Sequence, residues 1–198
     1  VKTVRLPALN QPVRFSKKLK NMKTITTQTD VYKFVELSED AQQSAIENLF
    51  DINVDYEWWE STYDDAAEIG LKITSFELGR GSKITGELTS SGTCTAYKII
   101  ENHGEKCGTY QLAKTFLSDW SKLVEKYSDG VRLDIVAEDN DYEFDQEAND
   151  LENDFRKDLL EDYLSTLTKE CDYLMSRAAI VETIESNDYD FTVDGKLY

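Results

Sequence analysis

Positive charge is scarce in this 198-residue chain: 22 Lys and Arg stand against 39 Asp and Glu, giving a formal net charge of -17 and a pI near 4.4. Such a surface repels phosphate-bearing partners. It excludes unaided binding to DNA, RNA or anionic membranes and favours basic proteins or cations. Cysteine is scarce too. Cys94, Cys107 and Cys171 are odd in number and widely spaced, which is no disulfide framework and fits reduced thiols. The single histidine, His103, lies four residues before Cys107, but without a CxxC pair a zinc site including Cys94 needs a fourth ligand from elsewhere. No stretch approaches the roughly 20 apolar residues that span a bilayer. No nucleophile, metal or cofactor pattern stands out. The expectation is a soluble cytoplasmic protein with no catalytic residues, cofactor or metal.

The hydrophobic content of 40%, with 11% aromatics, is that of a folding chain. The basic groups are unevenly placed. Residues 1–21 carry Lys2, Arg5, Arg14, Lys17, Lys18 and Lys20 and no acid, leaving residues 22–198 at a net -23. The stretch from Met22 reads like a protein start, so residues 1–21 are expected to be a basic N-terminal extension or flexible arm. Its lack of a continuous apolar segment makes it a poor targeting signal. Residues 22–198 are expected to form a single acidic α+β domain.

Hydrophobic periodicity predicts a helix-rich fold. Ser38 is placed to cap a helix reaching about Phe50, with Ala41, Ala45, Ile46 and Leu49 on its buried face. The stretch DYEWWESTYDDAAEIG, residues 55–70, reads as a second helix closed by Gly70. Its adjacent Trp58 and Trp59 are open to three readings: core packing, a sugar or base platform, or a partner hot spot. Residues 71–89 predict a β-hairpin turning at Gly79-Arg80-Gly81, with a bulge between Ile73 and Phe76. Further helices are predicted over 93–102, with His103 as a capping residue, over about 109–127, and from the acidic segment through Leu174. A short helix capped by Ser176 follows, and a C-terminal strand is expected to join the hairpin in a small antiparallel sheet.

Residues 138–162 hold twelve carboxylates against two basic groups. Glu147, Asp150, Asp154, Asp158 and Glu161, in steps of three or four, fall on one helix face. An EF-hand is excluded because Phe144 stands where that loop needs glycine. Candidate acid pairs for hydrolysis are uninformative in a chain with 39 acids. A solvated face and a phosphate-backbone mimic remain open. Twelve acids over 25 residues at about 1.5 Å rise give roughly one charge per 3 Å, close to the ~3.4 Å per phosphate along a DNA strand.

The segments YKFVELSEDAQQSAIEN, INVDYEWWESTYDDAAEIGLKITSFELGRG, IIENHG, VEKYSDG, AEDNDYEFDQE and TIESNDYDFTVDGKLY together resemble a family of small acidic proteins of bacteriophages and bacterial mobile elements. Some of its members are labelled antitoxin-like. The resemblance begins near Met22 and covers nearly all the rest, leaving residues 1–21 outside it. It implies a non-enzymatic protein acting in the bacterial host cytoplasm, such as an inhibitor of a host defence system of the anti-CRISPR or anti-restriction type. The expected partner is a basic nucleic-acid-binding protein, with Glu147, Asp150, Asp154, Asp158, Glu161 and Trp58 as contacts. An antitoxin-like or regulatory partner and an enzyme of unrecognised type are the alternatives.

Overall fold

Ser38 starts the first helix: its Oγ accepts the Ala41 N–H at 3.3 Å, with Glu39 and Asp40 in the first turn, where carboxylates favour the positive end of the helix. The structure is a computed structural model that describes residues 28–128 and 141–198. The expected basic extension 1–21, and Glu138 and Asp139 of the acidic run, lie outside the described residues.

In chain order the elements are β1 (Tyr32–Lys33), a 3-10 turn (Phe34–Glu36), α1 (Glu39–Asn48), α2 (Glu60–Ile69), β2 (Leu71–Glu77), β3 (Lys83–Leu88), α3 (Gly92–Asn102), α4 (Gly108–Tyr127), α5 (Asp141–Leu174), α6 (Arg177–Ser186) and β4 (Asp190–Phe191). The fold is helix-rich α+β, as expected. The hairpin β2–β3 has its register shift between Ile73 and Ser75, and its turn glycines Gly79 and Gly81 both take positive φ. The C-terminal strand β4, however, pairs antiparallel with β1 and not with the hairpin, so the described residues form two small sheets where one was expected. Phe191 explains the choice. It is fully buried against Phe34, at a ring separation of 6.2 Å, in the core built by α1 and α6.

The second helix also starts later than expected. Residues 55–59 form bends and turns, and α2 begins only at Glu60, after Trp59. No side chain caps its start. The buried face of α2 is Thr62, Ala66 and Ile69, while Ala67 is exposed. Gly70 closes the helix in the left-handed conformation, with φ +91°.

Among the described residues two apolar cores result. The larger joins α2, β2, α3, α4 and α5 through Ile69, Leu71, Ile99, Phe116, Phe155 and Leu159, and the smaller joins β1, α1, α6 and β4. Phe116 stacks on Phe155 with centroids 4.3 Å apart and planes 16° from parallel. Buried Asn53 ties the segment after α1 to the far end of the chain: its Nδ2 donates to Leu174 O at 3.0 Å and its Oδ1 accepts from Thr183 Oγ1 at 2.7 Å. The apolar positions of α5 advance mostly in steps of four, a drift of about 40° per step around a 3.6-residue helix. Phe155 and Leu159 therefore meet the larger core, while further along Leu174 O reaches Asn53. Among the described residues, no helix is long and apolar enough to cross a membrane.

Candidate functional site

At 3.6 residues per turn, Glu147, Asp150, Asp154, Asp158 and Glu161 occupy roughly an 80° sector of α5 over about 21 Å. That sector lies opposite buried Leu159 and Tyr163, with buried Phe155 on its flank, and all five carboxylates are exposed. They are not equivalent. Glu147 accepts from Lys126 Nζ at 2.6 and 2.8 Å and from Tyr127 Oη at 3.0 Å. The Lys126 hydrogen bonds, then that of Tyr127, hold its carboxyl below the ordinary range. Glu147 therefore belongs to the junction of α4 and α5. No described Lys or Arg stands within ion-pairing distance of Asp150, Asp154, Asp158 or Glu161.

Other acids of the run are also committed internally. Glu152 Oε1 accepts the Gly92 N–H at 2.7 Å, capping the start of α3, and Asp162 Oδ2 accepts from Thr109 Oγ1 at 2.8 Å. Arg156 donates to Gly86 O of β3 at 3.1 Å. The free face is thus sparser than the count of twelve acids implies. From Asp150 to Glu161 it offers four carboxylates on average about 5.5 Å apart along the axis, against ~3.4 Å per phosphate. Asp150 and Asp154 also line a shallow groove of about 420 Å³ between α4 and α5, opposite Lys122 and Lys126.

Trp58 is not a free platform. It sits in the turn before α2, half-buried, with edge-to-face contacts to Trp59 at 5.7 Å and to Phe76 of β2 at 5.9 Å. Trp59 and Tyr63 meet the same Phe76 ring, at 5.6 and 6.2 Å. Four aromatic rings, Phe76 among them, thereby fasten the segment 58–63 to the hairpin, with Trp58 and Trp59 in the turn before α2 and Tyr63 within it.

A second constellation was not legible in the sequence. A polar cleft of about 260 Å³ opens between α2, the turn joining α3 to α4, and α5, lined by Asp65, His103, Thr109, Asp162, Tyr163 and Thr166 among others. His103 supplies the backbone C-cap of α3, its N–H donating to Ile99 O, but its imidazole turns into this cleft and caps no carbonyl. Its Nε2 stands 3.7 Å from Asp65 Oδ1, and Tyr163 Oη donates to Asp65 Oδ2 at 2.6 Å. Burial, then the Asp65 hydrogen bond, push the Tyr163 hydroxyl above its ordinary value, which keeps it a donor. The zinc set considered above does not assemble. Cys94 is in the first turn of α3 and His103 at its end, about 13 Å of helix rise away, and no metal-holding cluster occurs among the described residues. The spacing of His103 and Cys107 was the only sequence signal of the cleft; Asp65, Asp162 and Tyr163 come from remote segments.

Compared with known proteins, the chain matches no family model, no curated protein and no solved structure.

Proposed function

We propose that the protein works by binding. In this reading α5 presents Asp150, Asp154, Asp158 and Glu161 to the basic nucleic-acid-binding cleft of a partner protein, as a phage-type inhibitor of host defence would. The observation that carries it is that these four carboxylates are exposed in one row with no cation paired to them among the described residues. A rigid helix holds the charges in place before contact, and complementary fields speed encounter with a basic surface while turning away acidic ones. The spacing is coarser than that of a DNA strand. The mimicry is therefore of sign and linearity, not of each phosphate.

Glu147 is engaged at the junction of α4 and α5 and Trp58 in the aromatic packing on the hairpin, so this reading rests on the other four carboxylates. The experiment is a triple reversal, Asp150→Lys, Asp154→Lys and Asp158→Lys, assayed in nuclease reactions of CRISPR effectors and restriction endonucleases. Wild type inhibits DNA cleavage and the triple variant does not, at unchanged folding. Equal inhibition by both contradicts the reading.

A further inference from the structure

Cys107 occupies the N-cap of the 20-residue α4, where its Sγ accepts the Tyr110 N–H at 3.3 Å. His103 Nδ1 lies 3.9 Å from that sulfur. On the far side of the ring, Nε2 is buried and has no hydrogen-bond partner among the described residues, and the His103 side chain is only 12% exposed. Asp65 Oδ1 is the carboxylate oxygen 3.7 Å beyond it, and Tyr163 fixes the other oxygen of Asp65. Sulfur, imidazole and carboxylate thus stand in series, the order in which a nucleophile, its base and the group orienting that base are placed.

The unpartnered nitrogen fits this arrangement. The tautomer with its proton on Nε2 directs that proton toward Asp65 and leaves Nδ1 to accept from the thiol, and a shift of under about 1 Å completes the Asp65 hydrogen bond. When the ring also takes the thiol proton, both nitrogens become donors and the imidazolium faces a carboxylate already in place. The first-turn N–H groups of α4 lack partners within the helix and favour negative charge beside the sulfur. Asp65 and Asp162 line the adjoining cleft, and among the described residues no Lys or Arg does. Gly108 lets the Asp162 carboxylate close on the start of α4, because a Cβ there would meet Asp162 Oδ1 at 2.6 Å.

We propose that Cys107 is a nucleophile, with His103 as its base and Asp65 as a positioning residue, beside a cleft whose carboxylates Asp65 and Asp162 favour positively charged electrophiles. With a cationic disulfide the step is an exchange. Cys107 Sγ attacks one sulfur while His103 Nδ1 takes the thiol proton. The new S–S bond forms as the old one breaks, and the departing thiolate takes the proton back from His103. The disulfide is reduced to one thiol and Cys107 is oxidised to the mixed disulfide.

The test uses the full chain with cystamine, a cationic disulfide, and with 5,5′-dithiobis(2-nitrobenzoate), an anionic one. Modification rates are read separately at Cys107 and at exposed Cys94 by peptide mass spectrometry. Expressing each rate relative to Cys94 removes the general attraction of an acidic protein for cations. Half-buried Cys107 reacts with cystamine faster than Cys94 by at least about tenfold, a fraction of what a positioned base contributes. With the anionic disulfide that advantage falls. His103→Gln removes it while leaving Cys94 unchanged, and Asp65→Asn lowers both the Cys107 rate and its preference for the cationic probe. A wild-type Cys107 no faster than Cys94 overturns the proposal, as does a Cys107 rate unaffected by His103→Gln.

Discussion

Glu147 holds Lys126 Nζ through both carboxylate oxygens, at 2.6 and 2.8 Å, across 21 residues of chain. This contact separates one member of the acidic row from the other four. Glu147→Lys sets two cations against each other where α4 meets α5 and lowers the melting temperature, whereas Asp154→Lys, at an exposed carboxylate with no described partner, leaves it unchanged. Thermal denaturation of the two variants checks the distinction.

The same pair gives a pH dependence with a definite sign. Because Lys126 depresses the Glu147 carboxyl below its ordinary value, the contribution is complete above the ordinary carboxylate range and is lost as pH falls through the lowered value. Melting curves recorded at falling pH show wild type approaching Glu147→Gln at the acid end. A constant gap between the two contradicts the assignment.

Phe155 is 4% exposed and stacked on Phe116, so Phe155→Ala removes a ring from the centre of the larger core. The expected loss is about 3–5 kcal/mol in urea unfolding. Tyr163→Phe removes only the hydroxyl that donates to Asp65. Since the Asp65 side chain is 52% exposed and water replaces the lost donor, the expected loss is smaller, about 1–2 kcal/mol.

How much of this was legible follows from which contacts are local. The Ser38, Ser176 and Gly70 caps, the hairpin bulge and the extents of α3 and α4 depend on residues within a few positions of one another, and periodicity and cap chemistry locate them. The acidic row is equally local, since spacing alone puts its members on one face of α5. What the sequence withheld depends on remote partners. Trp58 packs on Phe76 of β2 from the turn before α2, and β4 chooses β1 because Phe191 is buried beside Phe34. In a run where every carboxylate looks alike, nothing local marks Glu147, Glu152 and Asp162 as engaged by Lys126, Gly92 and Thr109.

Gly92→Ala tests one of those remote contacts with a sign opposite to propensity. Alanine in place of glycine favours a helix by roughly 0.5–1 kcal/mol, but a Cβ at Gly92 would meet Phe116 Cζ at 2.8 Å and Glu152 Cγ at 3.0 Å. Overpacking prevails, and the variant is destabilised by about 1–3 kcal/mol in equilibrium unfolding. A stabilised variant contradicts the close approach of α3 and α5.

The most direct measurement on the acidic face is affinity capture from host lysate at low and high salt, comparing wild type with the Asp150, Asp154 and Asp158 triple reversal. The account predicts that wild type retains a nucleic-acid-binding protein at low salt and releases it at high salt, and that the triple variant never retains it. A partner held equally by both proteins and indifferent to salt would contradict it.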